Sequence, residues 1–383
     1  MVKNPIKIAD PKAENKLLLK DFKFSVENFI NSDNYVNHDY IKKLEETWAA
    51  FTGLKHVCFV SNGTVALQLA YNVALRRLHA NHEPVALLIP ENTYHADLSA
   101  ITWAGYAKGI NNKIYAYDYK LGYETNNILY NEISETKVIF NVTHLYGIPI
   151  PEHFITKTKN NLLKSDFKKR SIVIVEDCSH AHYSKVPLVG DICVWSCYPT
   201  KVLGALGNAG IIATNDDELA FYIKMLINQG EAPGIRYNPM VYGTNARGDA
   251  LQAMFILEKL KHKDRVIQHR RSIVEQYESL SYSNKVTTLV NNDTTCYYVY
   301  PITVSSNKIR DQVKSELAKQ QIETGIYYPV KMSNIANKLA NLPSSGSFQG
   351  DNLLCLPVHL GMTTEDACQI RHALLPILDR LGR

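Results

Sequence analysis

Several things are scarce in this sequence, and each scarcity excludes something. Its seven cysteines (58, 178, 193, 197, 296, 355 and 368) form no CxxC pair. Odd in number and set mostly in apolar runs such as DICVWSCY, they argue against a disulfide scaffold and fit reduced core thiols. No apolar run approaches the roughly 20 residues that a membrane helix needs, and the start MVKNPIKIADPKAENK lacks an apolar core of signal-peptide length. The expectation is a cytoplasmic protein with no membrane partner. Neither sign of charge dominates: 42 Lys+Arg against 37 Asp+Glu leave +5 over 383 residues, which does not argue for nucleic acid. The most basic segment, KLKHKDRVIQHRR at 259–271, reads as a solvated helix face. No internal repeat or low-complexity tract is visible.

What is present is ordinary globular material, 45% hydrophobic and 21% charged, long enough for one substantial core and a smaller one. The expected division is a large domain over 1–260, with its polar N-terminal segment, and a small α+β domain over 261–383. In HDYIKKLEETWAAF, Tyr40, Leu44 and Trp48 recur at helical spacing. HVCFV, VALLIP, KVIFNVT and SIVIVED read as strands, with TVALQLAYNVALRRL and TYHADLSAITWAG as helices between them. Continuous Val/Ile-rich runs joined by helices predict an α/β fold whose mostly parallel sheet is buried on both faces. Residues 246–282 read as one long helix or two joined ones. CYYVYPITV, KIRDQVKSELAKQQ, GIYYPV, LLCLPV and a last helix at TEDACQIRHALLPILDRL make up the small domain, with LPSSGSFQG at 342–350 as a surface loop.

Chemistry concentrates around SCYPTKVLGALGNAG at 196–210. Its glycines form GxxGxxG, neither a dinucleotide turn nor a P-loop, and its lysine precedes the glycines where a P-loop needs it after them. Tight backbone packing is the simpler use of such glycines. SIVIVED ends in Glu176 and Asp177 at the carboxyl edge of the sheet, where open α/β sheets bind ligands. Ser61, Asn62, Gly63 and Thr64 stand just ahead of a helix, so free N–H groups and the helix dipole make an anion site there.

From about residue 40 to the C-terminus the chain resembles the DegT/DnrJ/EryC1/StrS group of pyridoxal-phosphate-dependent sugar aminotransferases, of fold type I. The resemblance rests on SNGTVAL, PENTYHADLSAI, THLYG, EDCSHA, SCYPTK and GTNARGDALQA, in the family's order. It implies a large domain that binds pyridoxal 5'-phosphate. Lys201 would form the internal aldimine and shuttle a proton; Asp177 would pair with the pyridine nitrogen. His180 would contact the ring face or its 3-oxygen, and Tyr94 would stack on the ring. Gly63, Thr64 and Ser196 would hold the phosphate. Asn245 would reach the phosphate of a neighbouring subunit's cofactor, so the site should be complete only in a homodimer. Glu176, His144 and Tyr146 read as structural. No metal is expected.

The resemblance further implies ping-pong transfer from L-glutamate to a nucleotide-linked deoxy sugar. YPTKVLGALGNAG is similar to the form found among members that aminate 3-keto sugars. The chain departs from the pattern at Gly248, Cys197 and GNAG, and has YVNHDYIKK where a glycine-rich turn is usual. Lysine at 201 disfavours the dehydratase branch, which carries histidine there. The rivals are the same chemistry on a cyclitol or small phosphorylated ketone, a cofactor-binding regulator without turnover, and a nucleotide-binding module built on GALGNAG.

Overall fold

The computed structural model describes residues 5–16, 19–33, 35–36, 39–79, 83–105, 112–117, 128, 130–164, 169–185, 187–283, 285–288, 293–340, 344–345 and 352–381. Helices α1 (Pro11–Lys16), α2 (Leu19–Ile30) and α3 (Asp39–Thr52) precede the first strand. An alternating region follows: β1 (His56–Val60), α4 (Gly63–Arg77), β2 (Val85–Pro90), α5 (Ala96–Trp103), β3 (Lys113–Tyr117), β4 (Lys137–Thr143), α6 (Glu152–Lys164), β5 (Ser171–Asp177), β6 (Ile192–Ser196), β7 (Gly210–Thr214) and α7 (Asp217–Ile227). The remainder comprises α8 (Ala250–Leu260), α9 (Lys263–Glu275), β8 (Thr287–Thr288), β9 (Tyr300–Thr303), α10 (Asn307–Lys319), α11 (Met332–Ala340), β10 (Ser344–Ser345), β11 (Leu353–Leu356) and α12 (Thr364–Leu381).

An eight-stranded sheet runs β1-β7-β6-β5-β4-β2-β3-β10, and a three-stranded one runs β11-β9-β8. Among the described residues of the large sheet, β7 alone opposes its neighbours, pairing antiparallel with β1 and β6; the other described pairs are parallel. The α/β expectation is met. Burial on both faces explains why VALLIP needs no polar alternation. Leu87 and Ile89 enter a core with α4, while Ala86 and Leu88 enter the opposite one with α6, following the period of two along a strand. A third core, around Trp48 and Trp195, whose rings meet edge to face at 5.4 Å, packs α3 and α8 onto β6 and β7. Such an aromatic pair adds about 0.5–1.5 kcal/mol beyond its burial.

Segments cross between the two sheets. Ile6 bridges Ile322 and belongs to the core of the small sheet, whereas Met332 and Ala336 of α11 lie in a core of the large one. The helical pattern at 246–282 is two helices, α8 and α9. Of the 342–350 loop, residues 344–345 are instead a strand paired with β3, and the rest lies outside the described residues. The basic segment is not simply a solvated face. Arg270 is buried, paired with Glu14 at 3.0 Å, and its guanidinium donates to the carbonyls of Tyr297 and Val358 at 2.9 and 2.6 Å. That arginine clamps α1 onto the small sheet.

Candidate active site

The ends of β1, β5, β6 and β7 gather most of the residues singled out above. At β1 the chain turns through Asn62, whose side chain caps α4 by accepting from the Val65 N–H at 2.9 Å. An α-helix has no internal acceptor for the N–H groups of its first turn, here Gly63 and Thr64. A Cβ on Gly63 would lie 2.4 Å from Ser196 Cβ and 2.8 Å from its Oγ, so only glycine lets the helix start close over the end of β6. Gly63, Thr64 and Ser196 thus form one cradle with the positive end of a 15-residue helix behind it.

The loop from β6 to β7 carries Lys201. Its backbone N–H donates to Tyr198 O at 2.8 Å, and Gly204 packs where a Cβ would stand 2.3 Å from Pro199 O. The glycine run is a packing turn that mounts the lysine. The Lys201 Nζ makes no hydrogen bond or ion pair among the described residues, and lies 5.0 Å from the centroid of the Tyr298 ring. Burial pushes its pKa down to about 8, against the opposing pull of Asp177. Asp177 ends β5, is 5% exposed, and accepts from the Ser179 N–H at 2.9 Å. Burial raises its pKa, while the hydrogen bonds from Ser179 and then the charge of Lys201 work against that rise.

His180 is buried, stacked on Tyr298 with centroids 4.2 Å apart. Its Nδ1 accepts from the Tyr146 N–H at 3.1 Å, so the neutral ring carries its proton on Nε2 and donates it to Tyr328 Oη at 3.2 Å. Burial, then Lys201, holds this imidazole well below its usual pKa, which keeps it neutral. Tyr94 is 46% exposed, with its ring 5.4 Å from that of Tyr328, on the open side of the cluster.

His144 and Glu176, expected to be structural, bond to each other and to the backbone. The His144 Nδ1 accepts from Ile150 N–H at 2.9 Å, so Nε2–H donates to Glu176 Oε2 at 2.8 Å; Glu176 Oε1 accepts from the N–H groups of Val189 and Gly190. Tyr146 does more than expected: besides holding His180, its hydroxyl donates to Tyr327 O and accepts from Asn92. Asn245 stands apart, exposed and bridged to Asn228, with no side-chain hydrogen bond among the described residues. Tyr298 was not singled out from the sequence; it precedes β9, and its N–H donates to Tyr146 O at 2.8 Å, which holds its ring over Lys201.

The arrangement therefore combines an anion cradle, an unpaired lysine, a buried acid and a wall of tyrosines around a neutral histidine. No helix among the described residues is long and apolar enough to cross a membrane. Residues 18–375 match the model of the DegT/DnrJ/EryC1/StrS aminotransferase family. A dTDP-3-amino-3,6-dideoxy-alpha-D-galactopyranose transaminase of Aneurinibacillus thermoaerophilus is 31% identical over 336 residues, 85% of each chain. A pleiotropic regulatory protein of Geobacillus stearothermophilus is 29% identical over 315 residues, 80% of this chain and 79% of the relative. Among solved structures, S. venezuelae DesV in complex with a ketimine intermediate superposes with a TM-score of 0.83 at 22% identity, covering 99% of this chain and all of that one. The chain belongs to the DegT/DnrJ/EryC1/StrS aminotransferase family, and pyridoxal phosphate is the cofactor of its aminotransferase chemistry.

Proposed function

We propose that the protein moves an amino group from L-glutamate to a keto group of a nucleotide-linked deoxy sugar, a 3-keto sugar being the first acceptor to test, and that it works as a homodimer. The observation that carries the reading is Lys201, an amine with no hydrogen bond or ion pair among the described residues, set against an aromatic ring beside a buried acid.

The site fits the cofactor. Gly63, Thr64 and Ser196 would take its phosphate, Asp177 its ring nitrogen, and Tyr94 and His180 would flank the ring. Bound pyridoxal phosphate supplies an electron sink for the carbon that loses its proton. The chain supplies the rest. With a pKa near 8, Lys201 holds a useful neutral fraction around neutral pH, so its Nζ can take up and return a proton. Asp177 presents negative charge in a desolvated pocket, where it acts most strongly. Tyr298 covers one side of Lys201 against water, and Asn245 would complete the partner subunit's phosphate cradle.

The Aneurinibacillus relative, named for a 3-amino product, supports the 3-keto acceptor. The test is a half-reaction: protein carrying the aminated cofactor is mixed with dTDP- and UDP-linked 3-keto sugars, 4-keto sugars, a cyclitol ketone and a phosphorylated ketone. Turnover on the 3-keto sugars alone supports the reading, and turnover on the cyclitol or phosphorylated ketone alone replaces it. The Geobacillus relative's name supports a second reading, a cofactor-binding regulator without turnover. A cofactor spectrum indifferent to every amine would select it.

A further inference from the structure

A second acid lies in the network beneath Asp177. Asp97, in the first turn of α5, is fully buried. Both of its oxygens lie within hydrogen-bond distance of hydroxyls, each of which can donate to a carboxylate or accept from an acid: Oδ1 is 3.1 Å from Tyr71 Oη of α4, and Oδ2 is 2.7 Å from Thr93 Oγ1. Thr93 Oγ1 lies 3.3 Å from Thr143 Oγ1, to which Asn141 Nδ2 donates at 3.3 Å. Thr143 and Asp177 are register partners on the parallel strands β4 and β5, so this network ends beside Asp177. Asp97 forms no ion pair among the described residues.

The titratable groups around the pair come from several elements. Asp177 of β5 acts on Asp97 as a like charge. Tyr71 of α4 feels both aspartates, and Tyr117 of β3 faces Tyr71; burial raises the Tyr71 phenol and keeps it neutral. The positive influence of Lys201 falls on Asp177. Hydrogen bonds from Thr93, Tyr71 and Asn141 work against the rise at Asp97, while Asn141 Oδ1 is buried without a hydrogen-bond partner among the described residues and could accept from an acid. Two carboxylates in one water-excluded site do not both ionise readily.

We propose that Asp97 is held as a neutral carboxylic acid which shares a single negative charge with Asp177, making Asp97 a positioning residue that fixes the ionisation of the acid meeting the cofactor's ring. Its effect on turnover rests on the proposed role of Asp177; the pair itself is a property of the protein. Burial first, and Asp177 second, push the Asp97 carboxyl up to about 8. Above that pH a second negative charge enters the site.

The test is infrared difference spectroscopy on protein loaded with pyridoxal phosphate and carrying carboxyl-labelled aspartate. A carboxylic-acid stretch that the label shifts should be present at pH 6, be lost as the pH rises through about 8, and be missing in Asp97→Asn. In Asp177→Asn, which removes the like charge, the band should disappear at a lower pH, and this arm decides the matter even if Asp97→Asn fails to fold. No labelled band at pH 6, a band that survives in Asp97→Asn, or one that titrates unchanged in Asp177→Asn would overturn the proposal. Borohydride trapping on the same samples separates the two readings. Cofactor trapped on Lys201 with no carboxyl band sinks the Asp97 proposal alone, whereas a band without trapped lysine leaves the acid pair standing and removes the cofactor reading of Lys201.

Discussion

Lys201 sits in a setting that burial makes unfavourable for its charged form, and this gives a signed pH dependence. Only the neutral amine is a nucleophile. Covalent uptake of pyridoxal phosphate by cofactor-free protein should therefore speed up with pH and level off near 8, whereas an unshifted lysine would keep gaining until about 10.4. Stopped-flow absorbance over that range separates the two. Lys201→Ala should lower kcat by at least about a thousandfold, since proton transfer and the covalent mount are lost together. Asp97 carries the opposite sign. An ordinary aspartate titrates near 3.8, and here the folded chain holds its proton to about 8. Its contribution to stability is complete below the unfolded value and lost as pH rises through the folded one. Between pH 6 and 8 wild-type protein should lose on the order of 2 kcal/mol more than Asp97→Asn in urea unfolding, each pH unit in that window being worth about 1.4 kcal/mol. Lys201, Asp177, Gly63, Thr64 and Ser196 were legible because each falls within a short motif at fixed spacing. Tyr298 and Asp97 were not. One is held over Lys201 by a backbone hydrogen bond to Tyr146, far away in the chain, and the other looks in sequence like the acidic first turn of any helix.

The start of α4 shows how an element builds a site. Its cap, Asn62, and its first residue, Gly63, have separate duties: one satisfies Val65, the other allows contact with Ser196. Gly63→Ala should thus cost about 1–3 kcal/mol of stability through overpacking and weaken cofactor binding further by pushing α4 off β6. Asn62→Ala should cost about 1 kcal/mol with a smaller effect on binding. Thermal melts and cofactor titration of the two variants check this ordering. Strands β1, β2, β4 and β5 were legible because residues buried on both faces leave an unbroken apolar run. The reversed direction of β7 was not, since GIIAT reads the same either way along the sheet. The pairing of β10 with β3 was hidden as well: two serines carry no hydrophobic pattern, and a parallel ladder depends on distant residues.

At the scale of the whole molecule, the segment leading to Asn245 is unusually apolar for a surface. Ile235, Tyr237, Met240 and Tyr242 are exposed, Tyr237 at 91%. A cavity of about 920 Å³ beneath it, lined among others by Lys42, Glu45, Arg236, Tyr237 and Arg247, includes none of the expected site residues. A second copy of the chain would cover such a surface and bring Asn245 to its partner's cradle. Sedimentation should give a dimer, and Asn245→Ala should weaken cofactor binding by about tenfold, the worth of roughly one hydrogen bond to a charged group. Mixing and reassembling the Lys201→Ala and Asn245→Ala proteins should create active sites of wild-type cofactor affinity, which neither protein has alone. If sites are not shared, mixing recovers nothing. Neither the exposed segment nor the Arg270–Glu14 clamp was legible beforehand, because each depends on what packs against what rather than on local pattern.

The most direct measurement is the visible spectrum of the purified protein with pyridoxal phosphate, before and after L-glutamate, followed by borohydride trapping and peptide mapping. A yellow band that bleaches with glutamate and traps on Lys201 is the predicted result. A cofactor that fails to bind, or traps on another lysine, would contradict the account of the site.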